Sequence, residues 1–135
     1  MKTFIYAFLC VLAINLISCD KKTACTDFKT GTFLIATDTL FENAATLIKK
    51  KTSQQQISSK GDTLFANVTW LNDCSYKLTF DKKQMHLTPF HININTRGGI
   101  LVEFGMPHGD IMPYVSVIKG ETKTETFNGY LKKIK

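Results

Sequence analysis

The chain has 135 residues and carries 17 basic against 11 acidic side chains, a formal net charge of +6. That length is one domain's worth of chain, which excludes a multidomain machine. Apolar residues make up 44% and charged residues 21%, which excludes a disordered tail, a collagen-like repeat and a coiled-coil rod, and leaves enough for one core.

Residues 1–18 read as an address. Lys2 supplies a positive start, and the stretch from Phe4 to Ile17 is apolar apart from Asn15. At about fourteen residues it has the length of a signal-peptide core, short of the roughly twenty a spanning helix needs. The alternative is a short or tilted anchor helix. Leu16-Ile17-Ser18-Cys19 follows. Its bulky Leu16 stands where the ordinary signal peptidase wants a small side chain. The four residues resemble the bacterial lipobox, and the resemblance implies that Cys19 becomes the first mature residue and carries a diacylglycerol on its sulfur. Two or three acyl chains on one cysteine make attachment close to permanent. The expected organisation is a signal peptide at 1–18, a lipidated tether at 19–27 and one β-domain at 28–135. The expected place is the cell envelope, anchored to a membrane through Cys19, with the outer membrane the expected one.

Four cysteines are present. Cys10 leaves with the leader and Cys19 takes the lipid. Cys25 and Cys74 remain as an even pair in an exported chain, where a disulfide is the natural fate. It would close a loop of about fifty residues and contribute roughly 4 kcal/mol on the chain-entropy account. The alternative is two free buried thiols. No CxxC and no zinc-like Cys/His spacing occurs.

The body reads as strands. Phe33 and Ile35 alternate with Thr32 and Leu34 after Gly31. Residues 45–51 and 54–58 suggest a weaker, exposed pair. Leu64, Ala66, Val68 and Trp70 alternate with Phe65, Asn67, Thr69 and Leu71. Asn72-Asp73 supplies turn chemistry, then Tyr76, Leu78 and Phe80 alternate with Lys77 and Thr79. Period two on both sides of a turn predicts a β-hairpin. Phe90, Ile92 and Ile94 alternate with His91, Asn93 and Asn95, and predict a further strand. Gly98-Gly99 reads as a hairpin turn into Ile100–Met106. A loop at 107–110 precedes the β-branched run Tyr114–Lys119, and a more polar strand covers 122–130. Helical turns are plausible only at 41–47 and 82–87. Short strands at spacings near ten residues predict an all-β antiparallel meander. Hiding its edges favours closure into a small lipocalin-like barrel; the alternative is a two-sheet β-sandwich.

Two segments carry a resemblance. Cys25-Thr26-Asp27-Phe28-Lys29-Thr30-Gly31-Thr32-Phe33 follows the lipobox, and Trp70-Leu71-Asn72-Asp73-Cys74-Ser75-Tyr76-Lys77-Leu78 lies further on. Together they look like a group of short lipoproteins typical of Bacteroidetes, some of which carry the label DNA topoisomerase IV, a label these residues do not support. The resemblance implies an exported single-domain β-protein and supplies no catalytic residues. Lipocalins proper are a poorer match: Gly31-Thr32-Phe33 stands where they have glycine-x-tryptophan, and nothing else of their signature appears.

Catalytic chemistry finds little support. His86, His91 and His108 are unpaired in sequence, no HExxH or GxSxG occurs, and Glu103 has no carboxylate partner at a recognisable spacing. His108-Gly109-Asp110 reads as an exposed loop. Lys49-Lys50-Lys51, Lys60, Lys82 and Lys83 are basic, but the aromatics alternate away from them into the core, which speaks against nucleic acid. The expectation is therefore a non-enzyme with no cofactor and no metal. One function is a membrane-held module that binds a small apolar or amphipathic ligand. The alternative is a structural or protein-interaction module of the envelope, its interior filled by Trp70, Tyr76, Phe80, Phe104 and Tyr114.

Overall fold

A computed structural model describes residues 21–135, with side chains from Ala24 onward. The expected signal peptide at 1–18, with Cys10, and the expected lipidation site Cys19 lie outside the described residues.

Eight strands form a closed antiparallel barrel in sequence order. They are β1 (Gly31–Ala36), β2 (Ala45–Lys49), β3 (Ser53–Ile57), β4 (Thr63–Asn72), β5 (Ser75–Phe80), β6 (Ile100–Phe104), β7 (Ile111–Lys119) and β8 (Thr124–Lys133). The seam is β1 against β8, from Phe33 opposite Lys133 to Ala36 opposite Tyr130. Closure leaves no free sheet edge. The sandwich alternative is excluded.

The hairpin around Asn72 forms in the expected register, with Val68 opposite Leu78 and Trp70 opposite Tyr76. The Asn72 side-chain oxygen accepts the Cys74 amide at 2.8 Å, the local bond that makes asparagine a turn residue.

Three expectations need correction. The alternating run at Phe90 is not a strand. It is the helix Pro89–Thr96, called α2 here, after a short α1 at Lys21–Thr26. Thr88 caps α2 reciprocally: its hydroxyl accepts the His91 amide, and His91 Nδ1 accepts the Thr88 amide. Pro89 sits at the first helical position, where its missing N–H has no consequence. Cap chemistry overrides the period-two pattern, and of the three apolar residues only Ile94 is buried. Gly98-Gly99 is accordingly not a hairpin turn but the stop of α2. Both glycines have positive φ, and the Gly99 amide donates to the Ile94 carbonyl at 2.9 Å, a Schellman-like ending.

Second, the tether expected at 19–27 contains α1, and Cys25 within it is wholly buried. Third, β2 and β3 are not an exposed pair. Leu47, Lys49 and Gln54 point inward and are buried. Of the two plausible helical turns, 41–44 is a turn running directly into β2, and 82–84 is a turn leading toward α2.

The two ends of the barrel differ. At one end the tight β2–β3 and β4–β5 connections meet α1 and the chain terminus. Cys25 and Cys74 are disulfide-bonded there, with Cα atoms 5.2 Å apart. At the other end lie the 37–44 loop, the 58–62 turn, the long connection carrying α2, and the 120–123 turn. The first end is closed and the second is the mouth. Helix α2 is held to the mouth by Asn95, whose amide accepts the Phe80 N–H at 2.8 Å and donates to the Phe80 carbonyl at 2.9 Å. One side chain thus continues the β5 ladder where no strand follows.

Candidate functional site

The closed half of the barrel is filled. Phe28, Phe33, Tyr76 and Phe104 form its aromatic centre, and Leu47, Met112, Leu131 and Cys25 complete it. Trp70 lies against this cluster, its ring centroid 4.6 Å from that of Tyr76 and 6.1 Å from that of Phe104. Period two along β4 and β5 puts both rings on the inner face, where the sequence placed them.

The sequence reading missed Lys49. It reads as the first of a basic triplet, yet its place on β2 turns it inward, two residues after Leu47, and it is only 2% exposed. Its ammonium lies 4.1 Å from the Tyr76 centroid, 4.8 Å from Phe104, 5.0 Å from Trp70 and 6.0 Å from Phe33. Lys29 stands 4.8 Å from the same Trp70 ring and reaches Asp73 at 2.6 Å. Burial pulls the Lys49 amine down to about 7, because a charged group stripped of water is costly. The ring faces oppose that pull by attracting the cation. The inward position of Lys49 was signalled by the Leu47–Lys49 alternation, which the triplet obscured.

Toward the mouth the interior opens. A cavity of about 210 Å³ is lined by Ile35, Leu47, Gln54, Gln56, Tyr76, Leu78, Ile100, Val102, Tyr114, Ser116, Ile118, Phe127 and Leu131. Gln54, Gln56, Leu78 and Ile100 also line an adjoining space of about 120 Å³ that reaches Leu64, Ala66 and Phe80. Ile35, Gln56 and Tyr114 carry the lining outward to a hollow of about 360 Å³ bounded by Ala36–Asp38, Glu42, Asn43 and Ala45. Phe80 and Tyr114, expected to fill the interior, instead wall this space. Gly129 makes room for the Tyr114 ring: a Cβ there would collide with the phenol.

The polar groups of the cavity are neutral. Burial, and after it the proximity of Tyr114, raise the Tyr76 phenol above its ordinary range; burial alone raises that of Tyr114. Both remain hydroxyl donors. Among the described residues, Lys49 Nζ, Gln54 Oε1 and Trp70 Nε1 are buried with no hydrogen-bond partner.

The other residues singled out in the sequence are scattered. His91 caps α2, and its ring lies tilted against that of Phe80, centroids 4.2 Å apart. His108 lies at the closed end, where its backbone pairs with Ile111. Glu103 is exposed on β6. No group of three or more His, Cys, Asp or Glu side chains gathers among the described residues. None of their helices is long and apolar enough to cross a membrane.

Compared with protein-family models, with curated proteins and with solved structures, the chain finds no match.

Proposed function

We propose that this chain is an exported envelope lipoprotein, anchored through Cys19, whose barrel serves as a cup for a small apolar or amphipathic molecule. The observation that carries the reading is the half-filled interior: a solid aromatic floor beneath a mouth-end cavity with apolar walls and a few convergent neutral polar groups. Cavities of that make-up, in the mouths of β-barrels, are where small ligands bind. A wholly structural module has no use for the void, since empty space forfeits packing contacts.

The disulfide adds an orientation. Cys19 lies a few residues before Cys25, and Cys25 is bonded to Cys74 at the closed end. A lipid on Cys19 therefore sets the closed end toward the membrane and the mouth away from it. The lipobox, the leader and the resemblance to Bacteroidetes lipoproteins support the envelope location.

A second reading, as a protein-interaction module, draws on exposed apolar side chains on the mouth side. Leu40 in the 37–44 loop and Phe90 and Ile92 on α2 are more than half exposed.

Two measurements test the proposal. Cys19→Ala should accumulate as an uncut precursor; release of a soluble protein cut before residue 19 would refute the anchor. Mass spectrometry of small molecules copurifying with the protein from its native envelope should find an amphiphile in near-stoichiometric amount; repeated recovery of protein with nothing bound would refute the cup.

A further inference from the structure

This inference rests on the mouth-end cavity being a binding site, and it concerns the head group of the ligand. Gln54 is mid-barrel on β3, at the inner end of the cavity, and only 9% exposed. Its Oε1 is buried without a hydrogen-bond partner. The two residues opposite it in the ladder are Lys49 and Ala66. Ala66 has nothing to donate. The Lys49 ammonium is gathered among the rings of Tyr76, Phe104 and Trp70 instead. The acceptor on Gln54 is thus left over by its own neighbours, and a buried acceptor left unpaired is costly.

The rest of the lining narrows the class of partner. No charged side chain lines the cavity or the space adjoining it. Lys49 is not part of the lining; the Tyr76 ring stands against its ammonium. A carboxylate or phosphate head would find no cation in the lining itself. The amine on the neighbouring strand, Lys49, is held against the Tyr76 face and drawn toward its neutral form by burial, so the charge would be poorly met in low-dielectric surroundings. A hydroxyl head meets no such penalty. It donates to Gln54 and accepts from a phenol, while an apolar body lies against Leu78, Ile100 and Ile118.

We propose that the cavity selects an uncharged amphiphile that enters head first, an alcohol-type hydroxyl on its inner end donating to Gln54 Oε1. The test uses the full-length protein in nanodiscs, with empty nanodiscs as blank, titrated calorimetrically at pH 8 with 1-hexanol, hexanoate and hexane. Hexanol should bind at least about tenfold more tightly than either of the others, the difference one well-made hydrogen bond gives. Gln54→Leu should erase the preference of hexanol over hexane while hexane still binds, and unliganded Gln54→Leu should melt no lower than wild type. Hexanoate binding tightest, or an unchanged preference in Gln54→Leu, would overturn the head-group assignment while leaving the cup intact. Binding of none of the three would overturn both. Should Gln54→Leu fail to fold, the acceptor was structural and the proposal fails with it.

Discussion

Lys49 and Tyr76 meet face to face at the floor of the barrel, the ammonium 4.1 Å from the ring centroid. This contact divides the molecule. Below it the interior is aromatic and solid; above it lies the cavity. A lysine at this place is an expense to folding, since its amine titrates near 7 in the folded chain against an ordinary value of 10.5.

Below about pH 7 both folded and unfolded chains hold the Lys49 proton, and the penalty of burying the charge is fully present. Between about 7 and 10.5 the unfolded chain holds more protons than the folded one, so this group makes stability rise with pH. Lys49→Met removes this penalty. At pH 6 it should be more stable than wild type by on the order of 3 kcal/mol, the ring attraction offsetting part of the full shift. The gap should shrink steadily toward pH 9.5. Denaturant unfolding of both proteins across that range checks this, and a gap constant with pH would contradict it.

Trp70, the single tryptophan, reports on the same floor. Trp70→Ala removes a ring lying against Tyr76, Phe104 and both Lys29 and Lys49. It should cost roughly 3–5 kcal/mol, read by chemical denaturation. Lys77→Ala, exposed on the outer face of β5, should stay within about 0.5 kcal/mol of wild type. Wild-type emission should be blue-shifted.

The closed end depends on the disulfide. Cys25 is wholly buried and ties α1 to the β4–β5 turn across 49 residues of sequence. Cys25→Ser should lower stability by about 2–4 kcal/mol. Amide exchange should then quicken in α1 and the 73–74 turn, and far less at the mouth.

At the mouth, Asn95→Leu removes two bonds to the Phe80 backbone. Each bond is partly buried, so breaking it should cost about 1 kcal/mol. Exchange at the end of β5 and through α2 should rise together, showing that one side chain couples them.

The eight-stranded barrel was largely legible because alternation survives in β1, β4, β5 and β6, because β7 carries a β-branched run, and because a short meander has few ways to hide its edges. Cys25 with Cys74 was legible from the expected export and the even count of remaining cysteines. Helix α2 was not, because Phe90, Ile92 and Ile94 alternate by coincidence, although Thr88-Pro89 is a helix-start signal. Lys49 escaped because its alternation with Leu47 is masked by the run of three lysines, which reads as a solvated charge cluster; its burial beside Leu47 shows that it faces inward. The cavity was beyond reach, since an inward Ser116 or Gln56 is compatible with a filled or a hollow interior until the facing residues are known.

The cup itself is tested most directly by blocking it. Ser116 lines the cavity from β7, and Ser116→Phe places a ring in that space. Wild type and Ser116→Phe, extracted from the native host under identical mild conditions, should be weighed intact by native mass spectrometry. The account predicts that wild type carries an added small-molecule mass and that Ser116→Phe, with its melting temperature retained, carries none. Equal added mass on both proteins, or none on either, would contradict it.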